Sequence, residues 1–382
     1  MSRPVVSDVY ATAFGSDELA FREEVDAVVA AHPGLSSRQS FEGRGGATRL
    51  LYEVLGSRGW LSQCWPARWG GMARPISYEF LLWDTLAERR AARPDIGPGL
   101  VAHVLIAHGT AEQRARHLPE LAAGRLSCSL GYSEPEAGSD LTHLRTRAVR
   151  DGDTYVVNGH KIWTSDAHHA SRLWLLCRTG EGESGKHGLT LLFVDLATKG
   201  VTVTPIATMD DHQLNEVFLD DVHVPAADLI GTEGDAWTII RESLAVERHT
   251  QVLPGRVRRD LLELRTALEA AGLSGRPAIE QRYDELALRV SVVEAASLAT
   301  VSEMMSGGSA VARAARAKLL AAELCQDIPR VGLELLGVAA VVEDHELGFL
   351  WRQSIMETIA GGTVEIMLSL LAREELALGS GR

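Results

Sequence analysis

Cysteine is scarce in this chain of 382 residues: Cys64, Cys128, Cys177 and Cys325 stand far apart, with no CxxC spacing. That spacing builds neither a zinc site nor a disulfide framework, and it suits a reducing cytosol. No uninterrupted apolar run approaches the roughly 20 residues of a membrane span, and the start lacks the basic, apolar, small-residue order of a secretory signal. The expected location is cytoplasmic. Positive charge is also short, with 38 Lys and Arg against 51 Asp and Glu and a net charge of -13. Nucleic acids and anionic membranes need a concentrated positive field, so neither is an expected partner. The run Arg256-Val-Arg-Arg259 is the local exception. It reads as a solvated helix face, with contact to the phosphates of a ligand as the alternative. No GxGxxG follows a predicted strand, which leaves no Rossmann nicotinamide site. His168-His169 has no further ligand at metal spacing, and adjacent side chains on a strand or loop point apart, so no metal is expected. Internal repeats are absent, and the alanine-rich Ala310–Ala322 is helix former.

What is present is an ordinary globular composition, 46% apolar and 23% charged, on a chain long enough for two or three domains. Apolar residues recur at helical spacing from Ser16 to about Gly124, as in Phe80, Leu81, Trp83, Asp84, Leu86 and Ala87. Short β-rich runs follow between Ser127 and Gly231, each bounded by Gly, Asp or Pro. Helical spacing then resumes from Gly234 to Leu376, broken at Gly272 to Pro277, at Gly307-Gly308 and at Gly361-Gly362. The expected class is α+β, with an N-terminal helical domain (1–125), a middle β-domain (126–232) and a C-terminal four-helix bundle (233–382).

Chemistry concentrates between Cys128 and Ser165. In Ser133-Glu-Pro-Glu-Ala-Gly-Ser-Asp140, Pro135 forces a turn and Gly138 lets backbone approach a ligand. Ser133, Ser139 and Asp140 supply short hydrogen-bonding groups. Asn158-Gly159, between Thr154–Val157 and His160–Trp163, is a hairpin signal. Further on, Trp237, Ile240, Leu244 and Glu247 follow spacings of three, four and three, which puts Glu247 on an apolar helix stripe. Desolvation there raises a carboxyl pKa towards neutrality, as a base for a carbon-bound proton requires. A Glu paired with Arg241 or Arg248 near the helix end is the alternative.

These segments resemble the acyl-CoA dehydrogenase family. The resemblance extends through Trp65-Pro-Ala-Arg-Trp-Gly-Gly71, His108-Gly-Thr110, Leu118-Pro119, Gly124, Asp220-Asp-Val-His-Val-Pro225 and Ile359-Ala-Gly-Gly-Thr-Val-Glu-Ile366, in that order. It implies the family architecture and an FAD cofactor. By family position, Leu130, Tyr132, Ser133, Gly138 and Ser139 contact the isoalloxazine side. Trp163 and Ser165 lie against the ring and phosphates, and Thr363 and Glu365 lie near the adenosine half. Ser139 and Arg248 also match substrate contacts. The family's catalytic glutamate occupies one of two places. Gly361 stands at the first and cannot be a base, while Glu247-Arg248 matches the second. The Gly361 N–H matches a donor to the thioester carbonyl.

Two segments depart from the pattern of homotetrameric members. Gly275-Arg-Pro-Ala-Ile-Glu-Gln281 lacks their Arg-x-x-Phe-Gly, and Glu334-Leu-Leu-Gly-Val-Ala-Ala340 replaces a glycine-rich stretch. The resemblance is therefore strongest to heteromeric actinobacterial steroid-type members, α2β2 assemblies in which a second acyl-CoA dehydrogenase-like subunit completes the flavin site; a homo-oligomer is the alternative. The expected reaction is α,β-dehydrogenation of a bulky acyl-CoA to the trans-2-enoyl thioester, with Glu247 as base, hydride passing to flavin N5, and an electron-transfer flavoprotein or similar acceptor. A desaturase of carrier-protein thioesters, a non-catalytic partner subunit and a flavin monooxygenase remain open alternatives.

Overall fold

Glycine and proline set the boundaries of the helices in the computed structural model, which describes residues 9–35, 46–180, 185–210, 213–247, 250, 253–342 and 345–378. The helices are α1 (Val9–Ala13), α2 (Ser16–Ala31), α3 (Gly46–Ser57), α4 (Ile76–Glu88), α5 (Ala102–His108) and α6 (Ala111–Ala122) before the strands. After them come α7 (Ala236–Glu247), α8 (Pro254–Ala270), α9 (Pro277–Met305), α10 (Val311–Leu336), α11 (Glu346–Ser354) and α12 (Val364–Leu376). Pro254 and Pro277 open α8 and α9, where a missing N–H costs nothing. Gly307, at φ 76°, ends the turn after α9.

The chain forms two compact units. The first comprises Met1–Phe41, Pro75–Arg93 and Arg248–Arg382. Its core is a helical bundle in which Val257, Leu261, Leu264 and Leu268 of α8 meet Leu286, Val290 and Val293 of α9, and Leu324, Cys325 and Ile328 of α10. Those positions repeat every three or four residues, the spacing of one helix face.

The basic run lies inside this unit, so the solvated-face expectation is corrected. Arg256 and Arg259 are each 5% exposed. Arg256 pairs with Glu357 and Gln353, and Arg259 with Asp260 at 2.6 Å. Arg258 reaches Asp84 at 2.5 Å, Glu88 at 2.9 Å and Glu294 at 2.9 Å. Burying a guanidinium requires such partners, and all three are spent on internal groups.

The second unit comprises Glu42–Arg74 and Pro94–Glu247. Its strands are β1 (Cys128–Gly131), β2 (Arg147–Asp151), β3 (Thr154–Ser165), β4 (Arg172–Arg178), β5 (Leu189–Asp195), β6 (Val201–Ile206), β7 (Leu214–Pro225) and β8 (Leu229–Ile230). They form one mixed sheet in the order β6-β7-β3-β2-β4-β5-β8, with β1 parallel to β4. Strands β4 and β5 are covered on both faces, hence their unbroken apolar runs. Trp174, Leu176, Leu191 and Phe193 pack with Leu105 of α5, Leu118 of α6 and Ile240 of α7. Leu173, Leu175, Leu192 and Val194 pack with Tyr155, Val157 and Val217.

By compactness, α1, α2 and α4 group with the bundle unit and α3, α5 and α6 with the sheet unit. One sequence expectation changes here. Asn158-Gly159 is not a hairpin: β3 runs through it, and the turn between β2 and β3 is Gly152-Asp153. The pair instead marks a register shift against β7. Asn158 exchanges hydrogen bonds of 3.0 and 2.9 Å with Asp221. Gly159 is required because a Cβ there would lie 2.3 Å from the Thr146 hydroxyl. Local turn propensity is overridden by pairing with β7.

Candidate active site

In the sheet unit, the end of β1 and the end of β3 are fastened together. Ser129 donates to the Ser165 carbonyl at 2.7 Å, and the Ile162 N–H donates to the Ser133 carbonyl at 3.0 Å. Between them the Pro135 turn closes by reciprocal bonds of Glu134 and Ala137, 2.9 and 3.0 Å. The Glu134 carboxylate points inward and accepts from the N–H groups of Arg145 (2.6 Å) and Thr146 (2.8 Å) and from Lys161 Nζ (2.8 Å). Lys161 Nζ also donates to the Tyr132 carbonyl at 3.1 Å. The Lys161 side chain is fully buried and Glu134 is 6% exposed. Burial pushes the Glu134 carboxyl up, but Lys161 and the two backbone donors overcome this and hold it below the usual range.

Glu134 and Lys161 were missed by the sequence analysis. A strand lysine and a turn glutamate 27 residues apart carry no local signal of their pairing. Together they fix the backbone of Tyr132 and Ser133, so replacing Lys161 by Met is expected to strand a buried carboxylate and cost about 3–5 kcal/mol. Thermal unfolding measures the loss, and the double change with Glu134→Gln should recover most of it. An unchanged unfolding midpoint in K161M would show that the pair does not hold the turn.

Trp163 lies beyond this clamp. A second register shift against β7 falls between Lys161 and Thr164, and Trp163 takes φ 60° with 55% of its surface exposed. A bulky residue at positive φ is an outlier whose strain is tolerated at functional positions. Tyr132 is buried, its hydroxyl accepting from Trp174 Nε1 at 3.1 Å. Leu130 is part-buried against the core, and Ser133 is also part-buried. Gly138 and Ser139 are exposed, and nothing lies within 4 Å of a Cβ built on Gly138. Asp140 caps the next turn, accepting from the Thr142 N–H at 3.0 Å.

Ser165 leads into the turn that carries Asp166, His168 and His169. The two imidazoles do not point apart as expected: the turn brings their centroids to 4.1 Å, and His168 Nδ1 lies 3.1 Å from Asn215 Oδ1. Burial pushes the carboxyl of Asp95 up to about 7, opposed by the Gly97 N–H and reinforced by Asp166. Among the described residues no group of three or more His, Cys, Asp and Glu could hold a metal.

Helix α7 buries Ala236, Ile239, Ile240 and Ser243, with Trp237 part-buried against the same core. Thr238, Arg241 and Glu242 are exposed. Glu247 closes this helix; its side chain and that of Leu244, and the whole of Arg248, lie outside the described residues.

In the bundle unit, a turn after α11 leads through Ala360-Gly-Gly-Thr363 into α12. Gly361 and Gly362 take φ 64° and 96°, and Gly361 is exposed. The Thr363 hydroxyl caps α12, accepting from the Ile366 N–H at 3.3 Å, and Glu365 lies exposed in the first turn. The buried Lys318 of α10 donates to the carbonyls of both Ala360 and Gly362. At the end of α10, Glu334 is matched by Arg282 and by Arg330 at 3.8 Å. Val338 is 84% exposed, and Val341 and Val342 are exposed beside it. Gly275 donates to Glu280 at 2.8 Å, and Arg265 binds the same carboxylate at 2.8 Å.

The sheet unit fits one side of a flavin: a flat exposed indole, unobstructed space over Gly138, and the exposed Ser139 hydroxyl nearby. The 334–340 segment fits a dinucleotide poorly. Val338, 84% exposed, adds a side chain where backbone would approach the ligand, and Glu334 adds negative charge, whereas Ala340 is buried.

Three family descriptions match in sequence order: "Acyl-CoA dehydrogenase, N-terminal domain" over residues 15–125, "middle domain" over 129–222 and "C-terminal domain" over 234–376. The chain is 35% identical to the acyl-CoA dehydrogenase FadE26 of Mycobacterium tuberculosis over 364 residues, covering 90% of this chain and 91% of that protein. Among solved structures it is similar to a steroid ACAD, Tcur3481-Tcur3483, with a TM-score of 0.90, 27% identity and coverage of 96% and 98%. It is also similar to the ChsE4-ChsE5 complex of Mycobacterium tuberculosis, with a TM-score of 0.86, 31% identity and coverage of 96% and 98%.

Proposed function

The chain belongs to the acyl-CoA dehydrogenase family, and from that premise we propose that it dehydrogenates a bulky acyl-CoA, such as a steroid side-chain thioester, to the trans-2-enoyl-CoA. One observation carries the reading. The chain has Glu247 at the end of α7 and, at the family's other base position, a glycine at φ 64°. Along α7, Glu247 follows the buried Ile240 and Ser243 at spacings of three and four residues. Its carboxylate takes the α-proton, and the Gly361 N–H donates to the thioester oxygen on which negative charge develops.

FAD, when bound, would supply the hydride acceptor for the β-hydrogen at its N5, and an electron-transfer flavoprotein or similar acceptor is the proposed electron partner. Trp163 and the 133–140 turn would hold its ring side, with Leu130, Tyr132, Ser133, Gly138, Ser139 and Ser165. Thr363 and Glu365 would serve its adenosine half, and Ser139 and Arg248 would bind substrate. The altered 275–281 and 334–340 segments support a second, related subunit that completes this half in an α2β2 assembly. Val338 within that segment and Val341 and Val342 just after it are exposed apolar residues. The division into domains 1–125, 126–232 and 233–382 and a cytoplasmic location belong to the same proposal. Among the described residues no helix is long and apolar enough to cross a membrane.

The absence of a side chain at Gly361 leaves volume near the α-carbon for branched or ring-bearing acyl groups. Flavin reduction should therefore be faster with steroid side-chain thioesters than with octanoyl-CoA. The comparison is made by anaerobic mixing, and a clear preference for octanoyl-CoA would refute the substrate class.

A further inference from the structure

We propose that Lys318 is a positioning residue that strengthens the Gly361 N–H as a donor to the thioester carbonyl. This rests on the thioester reading given above.

Lys318 is 5% exposed and lies on α10, 42 residues before the loop it holds. Its ammonium donates to two carbonyls, those of Ala360 and Gly362. The Ala360 carbonyl and the Gly361 N–H are the two ends of one peptide unit, joined by resonance through its C–N bond. A cation on the oxygen draws electron density from the nitrogen and makes the N–H a stronger donor, the cooperative effect of a hydrogen-bond chain; Ala360 and Gly361 are themselves exposed, so the N–H is open to a ligand. The chain runs from Lys318 Nζ through the Ala360–Gly361 peptide to the substrate oxygen.

The loop conformation agrees. Gly361 and Gly362 lie at positive φ, and among the described residues the Gly361 N–H has no hydrogen-bond acceptor within the chain. A backbone donor left open beside a carbonyl held by a buried cation is poised for a ligand oxygen. From the other side, Glu357 is held by Arg256, so the turn leading into the loop is anchored within the same unit. Lys318 touches neither substrate nor flavin in this scheme; it acts through the peptide.

The test uses the FAD-loaded protein and an acyl-CoA analogue with sulfur at the β-position, which binds without being oxidised, and with an isotope-labelled thioester carbonyl. In the native protein the carbonyl stretch moves to lower frequency on binding. Lys318→Met should lose most of that shift and lower kcat about tenfold, with a much smaller change in KM, since the donor remains but is weakened. Lys318→Arg, which keeps the charge, should restore part of the shift. If the Met variant does not fold, Lys318→Gln keeps a donor, removes the charge and carries the same expectation. A full shift in the Met or Gln variant overturns the role of Lys318 alone. Absence of any shift in the native protein overturns the thioester reading with it. Glu247→Gln should keep the shift while losing flavin reduction, which separates the carbonyl donor from the base.

Discussion

Purified alone, the chain is expected to be colourless or faintly yellow, with far less than one FAD per chain. Coexpression with a related subunit that carries Arg-x-x-Phe-Gly and the glycine-rich segment should give a yellow heterotetramer with about one FAD per pair of unlike chains. The reason is electrostatic and steric. FAD brings two phosphates, and taking them from water without a matching cation or close backbone donors costs about several kcal/mol. Each 1.4 kcal/mol is about tenfold in affinity, so the isolated chain should bind at least about a hundredfold more weakly than the assembly. At 334–340 the chain offers a carboxylate and the exposed Val338 side chain where the resemblance implies glycine. The cations nearest that carboxylate, Arg282 and Arg330, already pair with Glu334. The sheet-unit half, with Trp163 and the Gly138 turn, has no such defect. The flavin-to-protein absorbance ratio decides the matter. A ratio near one in an active homotetramer would show that a residue such as Arg276 replaces the missing contact and that no partner is needed.

Glu247→Gln is expected to keep the fold and flavin content while slowing flavin reduction by about 10²–10⁴-fold, the contribution of a positioned general base. That range corresponds to about 3–5 kcal/mol of activation free energy. The amide matches the carboxylate in shape, so loss of rate with intact flavin content isolates proton transfer. Near-native reduction in the variant would remove Glu247 from the mechanism.

Motif order made the family legible, and hydrophobic spacing the β-rich segment between helical ones and the breaks near Gly272, Gly307 and Gly361; that the strands form one mixed sheet was not legible. Local patterns failed where tertiary contacts overrode them. Asn158-Gly159 has the composition of a turn, yet β7 pairs across it and the Asn158 side chain bonds Asp221. The Arg256–Arg259 run has the composition of a solvated face, yet Asp84, Glu88, Glu294 and Glu357, distant in sequence, bury it. Glu134 and Lys161 were invisible because each alone is an ordinary surface residue type and only folding makes the pair. Lys318 was hidden for a related reason: it acts on main-chain carbonyls, which leave no signature in sequence. Trp163 was identified by family position, but its positive φ and exposure depend on a register shift that no local pattern encodes.

The central claim is that this chain removes the α-proton of an acyl thioester, and α-hydrogen exchange with deuterated solvent tests it most directly. The measurement uses the assembled FAD protein and a thioester analogue that binds without being oxidised. Incorporation of solvent deuterium at the α-carbon with the native chain, and its loss with Glu247→Gln, is the predicted result. Exchange at the native rate with the variant, or none with the native chain, would contradict it.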